Sequence, residues 1–235
     1  MCGRYCLTTA PEAIRRLCKV TSPLPNLPAR YNIAPTQDVT VVRPAKEGQG
    51  RELALLRWGL VPRWADSPKI GYRMINARAE TVATKPAFRA AFRARRCLIP
   101  ADGFYEWRKE GTQKQPYRIG RQDGEVFALA GLWEHWQGPD GEVIDSCTII
   151  VTAANDLLRP IHDRMPVILD PADFDVWLEG GPEAANAAAA LLRPYPSGAL
   201  AAYPVSTRVN SPKNDDAGLI APVSDSPEPA QGTLI

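Results

Sequence analysis

The chain has 235 residues, 45% of them hydrophobic and 23% charged, with a formal net charge of +2. That balance fits a globular protein with room for a sizeable core and excludes a disordered or fibrous chain. No apolar run reaches bilayer-spanning length and the opening residues form no secretory leader, so a membrane role is excluded and a cytoplasmic location is expected.

The chain opens Met1-Cys2-Gly3-Arg4-Tyr5. A small residue at position 2 permits removal of Met1, which leaves Cys2 with an α-amine and a thiol on adjacent carbons. The amine has a reference pKa of roughly 7.7–8.0, so part of it is neutral at pH 7. A neutral amine condenses with an aldehyde to an imine, and the thiol can close onto the imine carbon to give a thiazolidine. The same pair also suits an N-terminal nucleophile that attacks a carbonyl. Both readings stay open on these five residues. Gly3 permits close approach of another group to the backbone. The five cysteines, at 2, 6, 18, 97 and 147, are odd in number and irregularly spaced, which predicts free thiols. No CxxC pair is present, and neither a metal nor any other cofactor is expected.

Residues 2–7 read as a strand. Thr9 and Glu12 fit a capping box for a helix carrying Pro11 in its first turn and Ile14, Leu17 and Cys18 on one face. A proline-rich connector at 21–29 leads to Arg30-Tyr31-Asn32-Ile33-Ala34-Pro35-Thr36, a strand end running into a loop. Asp38–Val42 and Glu52–Trp58 read as strands about a glycine-rich loop at 47–50. Residues 58–69 form a loop with two tryptophans and two prolines. A helix is predicted over 86–96, with Phe88 and Phe92 on one face. Cys97–Pro100 and Phe104–Trp107 read as strands about an Asp102-Gly103 turn. The segments 115–119, 125–133 and 143–152 read as a three-stranded meander. Beyond a helical turn at 155–158 come a strand at 167–169, helices at 171–178 and 182–192, and a strand at 199–205. The tail 224–235 reads as disordered, leaving one domain over 1–223. The expected class is α+β, with curved or barrel-like antiparallel sheets and a few peripheral helices.

Charge is unevenly spread. Residues 73–96 carry seven bases against the single acid Glu80, while 170–235 carry nine acids against three bases. A small total thus hides a basic surface. Glu106, between Tyr105 and Trp107, is placed for a raised pKa and general acid–base work. His162 stands at a loop-to-strand junction beside Asp163 and Arg164 and suits proton transfer near neutral pH. The Asn76 amide can orient an amine or polarise an oxygen. Pro35, Trp58 and Trp64 can form a platform for stacked bases, and Arg4 and Arg78 can meet phosphates.

Together these motifs resemble the SRAP (SOS response-associated peptidase) family. The matching runs are residues 1–5, 30–36, 58–62, 76–81, 95–107 and 162–166, in the family's order, over nearly the whole chain to about Val223. The resemblance implies an enzyme that senses abasic sites in single-stranded DNA and traps the sugar aldehyde as a thiazolidine on Cys2. It implies Cys2, Asn76, Glu106 and His162 as catalytic residues, with Glu106 as acid/base at the amine and His162 assisting ring opening. It implies Arg4, Asn32, Pro35, Trp64, Arg78 and Arg164 at the DNA. It also implies self-processing before Cys2; an imine on the sugar would further allow a lyase side reaction, and a monomer is expected. The rival readings are an amidotransferase-type N-terminal cysteine hydrolase, which lacks a companion motif here, and a non-catalytic single-strand binding module.

Overall fold

In the computed structural model, residues 2–45 and 50–223 are described. In chain order the strands are β1 (Tyr5–Leu7), β2 (Arg30–Ile33), β3 (Asp38–Pro44), β4 (Arg51–Trp58), β5 (Asn76–Arg78), β6 (Arg96–Ala101), β7 (Gly103–Glu110), β8 (Gln113–Arg121), β9 (Phe127–Gln137), β10 (Val143–Ala153), β11 (Arg164–Pro166), β12 (Ile168–Leu169) and β13 (Leu200–Pro204). The α-helices are α1 (Pro11–Cys18), α2 (Arg89–Ala94), α3 (Phe174–Leu178) and α4 (Pro182–Ala190).

Strand pairing closes on itself. β10 pairs β4, β4 pairs β3, β3 pairs β6, β6 pairs β9, and β9 returns to β10. Closing a sheet in this way leaves no edge among those five strands. β5 and β11 add to β10, and β12 adds to β9. Barrel strands β3, β6, β9 and β10 carry long buried runs, and Cys97, Leu98, Ile99, Leu132, Cys147, Ile149 and Ile150 are fully buried. A second sheet, ordered β13-β8-β7-β1-β2, holds the chain's first strand between β7 and β2. The α+β class with a barrel-like sheet is what the structure shows.

Three expectations are corrected. The meander is two separate hairpins: β8 pairs β7 and β13, whereas β9 pairs β10, so the chain changes sheets across 122–126. The alternation that marks each strand does not say which sheet it joins. The capping box at α1 does not form. The N-cap is Ala10 without a side-chain cap, because the Thr9 hydroxyl is drawn instead to Asp102 Oδ1, 2.6 Å away. The helix expected over 86–96 is confined to α2, after a series of turns, although Phe88 and Phe92 are both buried as that pattern required. The glycine-rich loop falls largely on residues 46–49, and the tail on 224–235, both outside the described residues. Among the described residues no helix is long and apolar enough to cross a membrane. All five cysteines are free and buried.

Candidate active site

The site follows from one register. β1 runs antiparallel to β7 with Tyr5 opposite Phe104 and Cys6 opposite Gly103. The Tyr105 N–H donates to the Arg4 carbonyl at 2.9 Å. Continued backwards, this register lays Gly3 alongside Glu106 and Cys2 alongside Trp107, near enough for the Glu106 charge to act on the Cys2 thiol. Asp102 fixes the other end of β1. Its carboxylate accepts from the Thr8 and Thr9 hydroxyls at 2.7 and 2.6 Å, and also from both backbone N–H groups. A carboxylate bound by four donors is a strong latch.

Cys2 is fully buried. Burial pushes its thiol well above the usual range, and the Glu106 charge pushes the same way; the amino-terminal charge and a hydrogen bond from the Arg4 backbone oppose this. The thiol is therefore held neutral at pH 7. Glu106 is 2% exposed. Burial raises its pKa to about 7, the amino-terminal charge lowers it, and Asp163 raises it again. A carboxyl poised there both gives and takes protons at neutral pH.

His162 lies in the loop before β11, with Nε2 4.0 Å from Glu106 Oε2. Its Nδ1 accepts from the Arg164 N–H at 3.0 Å. Nδ1 also lies 3.0 Å from Asp163 Oδ1, so each ring nitrogen has a carboxylate near it, Asp163 at Nδ1 and Glu106 at Nε2. Burial and the amino-terminal charge lower the His162 pKa, against the pull of Asp163. Glu106 and His162 line one cavity of about 380 Å³ together with Trp107, Lys114 and Asn210.

Asn76 begins β5, in parallel register with Ile149 of β10. Both polar atoms of its amide are buried and have no partner among the described residues. A buried amide without partners is costly unless a ligand completes it. Asn76 lines a second cavity of about 330 Å³ with Arg73, Met74, Arg78, Lys85, Ala87 and Phe88. Three cations around one orphan amide suit a phosphorylated ligand.

The remaining expected residues divide. Trp64 is 59% exposed. Pro35 is half-buried beside Thr36, whose φ of 73° is strained for a β-branched residue. Arg78 is exposed, and Arg164 is ion-paired to Glu80. Arg4 donates to Asn32 Oδ1 and to the Val209 carbonyl, both at 2.8 Å, with no carboxylate partner among the described residues. Asn32 has no exposed surface, and its amide N–H groups serve the carbonyls of Val209, Ser211 and Asn214. Asn32 therefore holds the Arg4 guanidinium in place from a fully buried position. Trp58 is core, packed edge-on to Tyr5 with ring centroids 5.4 Å apart. Sequence reasoning missed Trp107, Lys114 and Asn210 as neighbours of Glu106. Trp107 was detectable from its place after Glu106. Asn210, which accepts from the Trp107 indole at 2.7 Å, arrives from a distant segment and left no local signal.

The fold and site define a barrel protein whose second residue, a buried cysteine, lies near a buried glutamate and a half-buried histidine. Residues 1–212 match the family described as SOS response associated peptidase (SRAP), and the chain belongs to that family. It is 43% identical to the abasic site processing protein YoqW of Bacillus subtilis, over 94% of this chain and 99% of that protein. It is 33% identical to the abasic site processing protein YedK of Escherichia coli, over 95% and 100%. A crystal structure of a protein from Bacteroides thetaiotaomicron superposes with a TM-score of 0.84 at 26% identity, over 95% of this chain and all of that one.

Proposed function

We propose that this protein captures abasic sites in single-stranded DNA as a covalent thiazolidine on Cys2, after Met1 is removed. The observation that carries the reading is the meeting of Cys2, Glu106 and His162 at the end of β1. The open-chain sugar of an abasic site carries an aldehyde at C1′. The Cys2 amine adds to it, and loss of one water leaves the imine. The thiol sulfur then adds to the imine carbon while its proton passes to nitrogen, which closes the ring. Glu106, with a pKa of about 7, takes the proton from the attacking amine and returns it to the departing hydroxyl. His162, whose Nε2 faces Glu106, relays protons between the sugar oxygen and the carboxyl. The orphan amide of Asn76 gains its partners from the adduct. Arg78, Arg164 and Arg4 meet phosphates, and Trp64 and Pro35 meet flanking bases.

The imine also activates the sugar for β-elimination, so strand cleavage is the side reaction that ring closure suppresses. The same acid–base pair accounts for self-processing before Cys2. The test is a denaturing gel after incubation with a single-stranded oligonucleotide carrying one abasic site. A slow-migrating band that needs both the lesion and Cys2 is expected. An oligonucleotide that runs free of protein refutes the proposal.

A further inference from the structure

Two large aromatic side chains are exposed on the segment between β4 and β5. One is Trp64, already given a place at the flanking bases. The other, Tyr72, is 60% exposed, and nothing in the site described so far uses it. Its ring lies under the Arg57 guanidinium, 5.5 Å from the ring centroid. A cation thus lies over the ring while most of the side chain remains open to solvent.

The backbone beneath both aromatics is held firmly. Gly59 and Gly71 pass so closely that a Cβ on either would stand 2.6 Å from the other's carbonyl oxygen. The Leu60 N–H donates to the Met74 carbonyl at 3.1 Å, and the Val61 N–H to Ser146 Oγ at 2.8 Å. The Trp136 indole donates to the Ala65 carbonyl at 2.7 Å. Val61, Ala65 and Trp136 form a small core against which Ile70 packs. Trp64 and Tyr72 therefore project from a single anchored platform, and ordering them on binding costs little entropy.

Charge agrees with this. Between residues 57 and 85 stand Arg57, Arg63, Lys69, Arg73, Arg78 and Lys85, against only Asp66 and Glu80. Glu80 is taken by Arg164, and none of those six cations is ion-paired among the described residues. An exposed aromatic backed by arginine within an unneutralised basic surface fits a polyanion with flat, stackable groups.

We propose that Tyr72, backed by Arg57, is a stacking station for an undamaged nucleobase of the captured strand, separate from the base contact given to Trp64. This rests on the proposed reading of the site as a binder of lesion-bearing single-stranded DNA. The strand flanking the lesion then contributes binding in a length-dependent way, without touching the chemistry.

The test compares the wild type with Tyr72→Ala and Tyr72→Phe on fluorescent abasic oligonucleotides of increasing length, with the lesion at the centre. Crosslink yield is measured across protein concentration. Stacking is worth about 1–3 kcal/mol per base, so Tyr72→Ala is expected to raise the half-saturating concentration roughly 5- to 150-fold on long strands. On the shortest strands it matches the wild type, Tyr72→Phe behaves as wild type throughout, and the yield at saturation is unchanged. Equal half-saturation of Tyr72→Ala and wild type at every length, with crosslinks forming normally, overturns the station alone. Absence of crosslinks with the wild type overturns the underlying reading instead. A uniform loss at all lengths, or a lower yield at saturation, also counts against the station.

Discussion

Glu106→Gln separates what the fold gains from what the site needs. A carboxyl whose pKa rises from 4.5 to about 7 on folding binds its proton more tightly in the native state. Stability from this group is therefore complete below the unfolded value and is lost as pH rises toward 7. A pKa difference of one between the unfolded and native carboxyl corresponds to about 1.4 kcal/mol, so the full cost of ionising Glu106 in place is about 3 kcal/mol. Most of that falls between pH 5 and pH 8. The glutamine isostere carries no such dependence. Urea unfolding of both proteins at pH 5 and pH 8 gives the double difference, in which any packing or hydrogen-bonding change caused by the substitution itself cancels. The wild type is expected to lose about 2–3 kcal/mol more than Glu106→Gln over that interval, which is a midpoint shift of roughly 1 M urea. Parallel stability curves for the two proteins contradict the burial argument, and with it the assignment of Glu106 as a neutral-pH acid–base.

Other outcomes follow from the same geometry. The rate of adduct formation in the wild type rises with pH through about 7 as Glu106 becomes a base, and Glu106→Gln leaves only the shallower rise of the amine; stopped-time gels across pH check this. Cys2→Ala keeps an amine but no thiol, so it loses the stable adduct and gives more strand cleavage; an equally stable adduct from that variant rules the sulfur out. Arg78→Ala reduces the dependence of log affinity on log salt by about 0.7 for a single strand, as measured by anisotropy at several salt concentrations. Gly59→Ala combines a φ of 131° with a Cβ 2.6 Å from the Gly71 oxygen, so it lowers stability by at least about 1–3 kcal/mol in urea unfolding and disorders the Trp64 loop.

Local pattern carried much of the architecture. Short apolar-rich runs bounded by turn residues marked β3, β4, β6, β7, β9 and β10, and the buried pair Phe88 and Phe92 was evident from helical spacing. Sheet membership was not, because the parting of β8 from β9 depends on pairing between segments far apart in the chain. The Thr9 cap was misread for the same reason: Asp102, a distant residue, competes for the hydroxyl and wins. At the site, the chemistry of Cys2, Glu106 and His162 was readable from residue type. Their meeting rests on the β1–β7 register and on the loop that brings His162 to Glu106. Asn32 shows the limit, since only the structure reveals that its amide is already committed to Arg4 and the 209–214 carbonyls.

The most direct measurement is the intact mass of the product formed with an abasic single-stranded oligonucleotide. If the amine and thiol of Cys2 act together, the adduct weighs the oligonucleotide plus the protein lacking Met1, less one water, and it persists without a reducing agent. A protein that retains Met1 yet crosslinks, or an adduct that survives only after borohydride treatment, contradicts this.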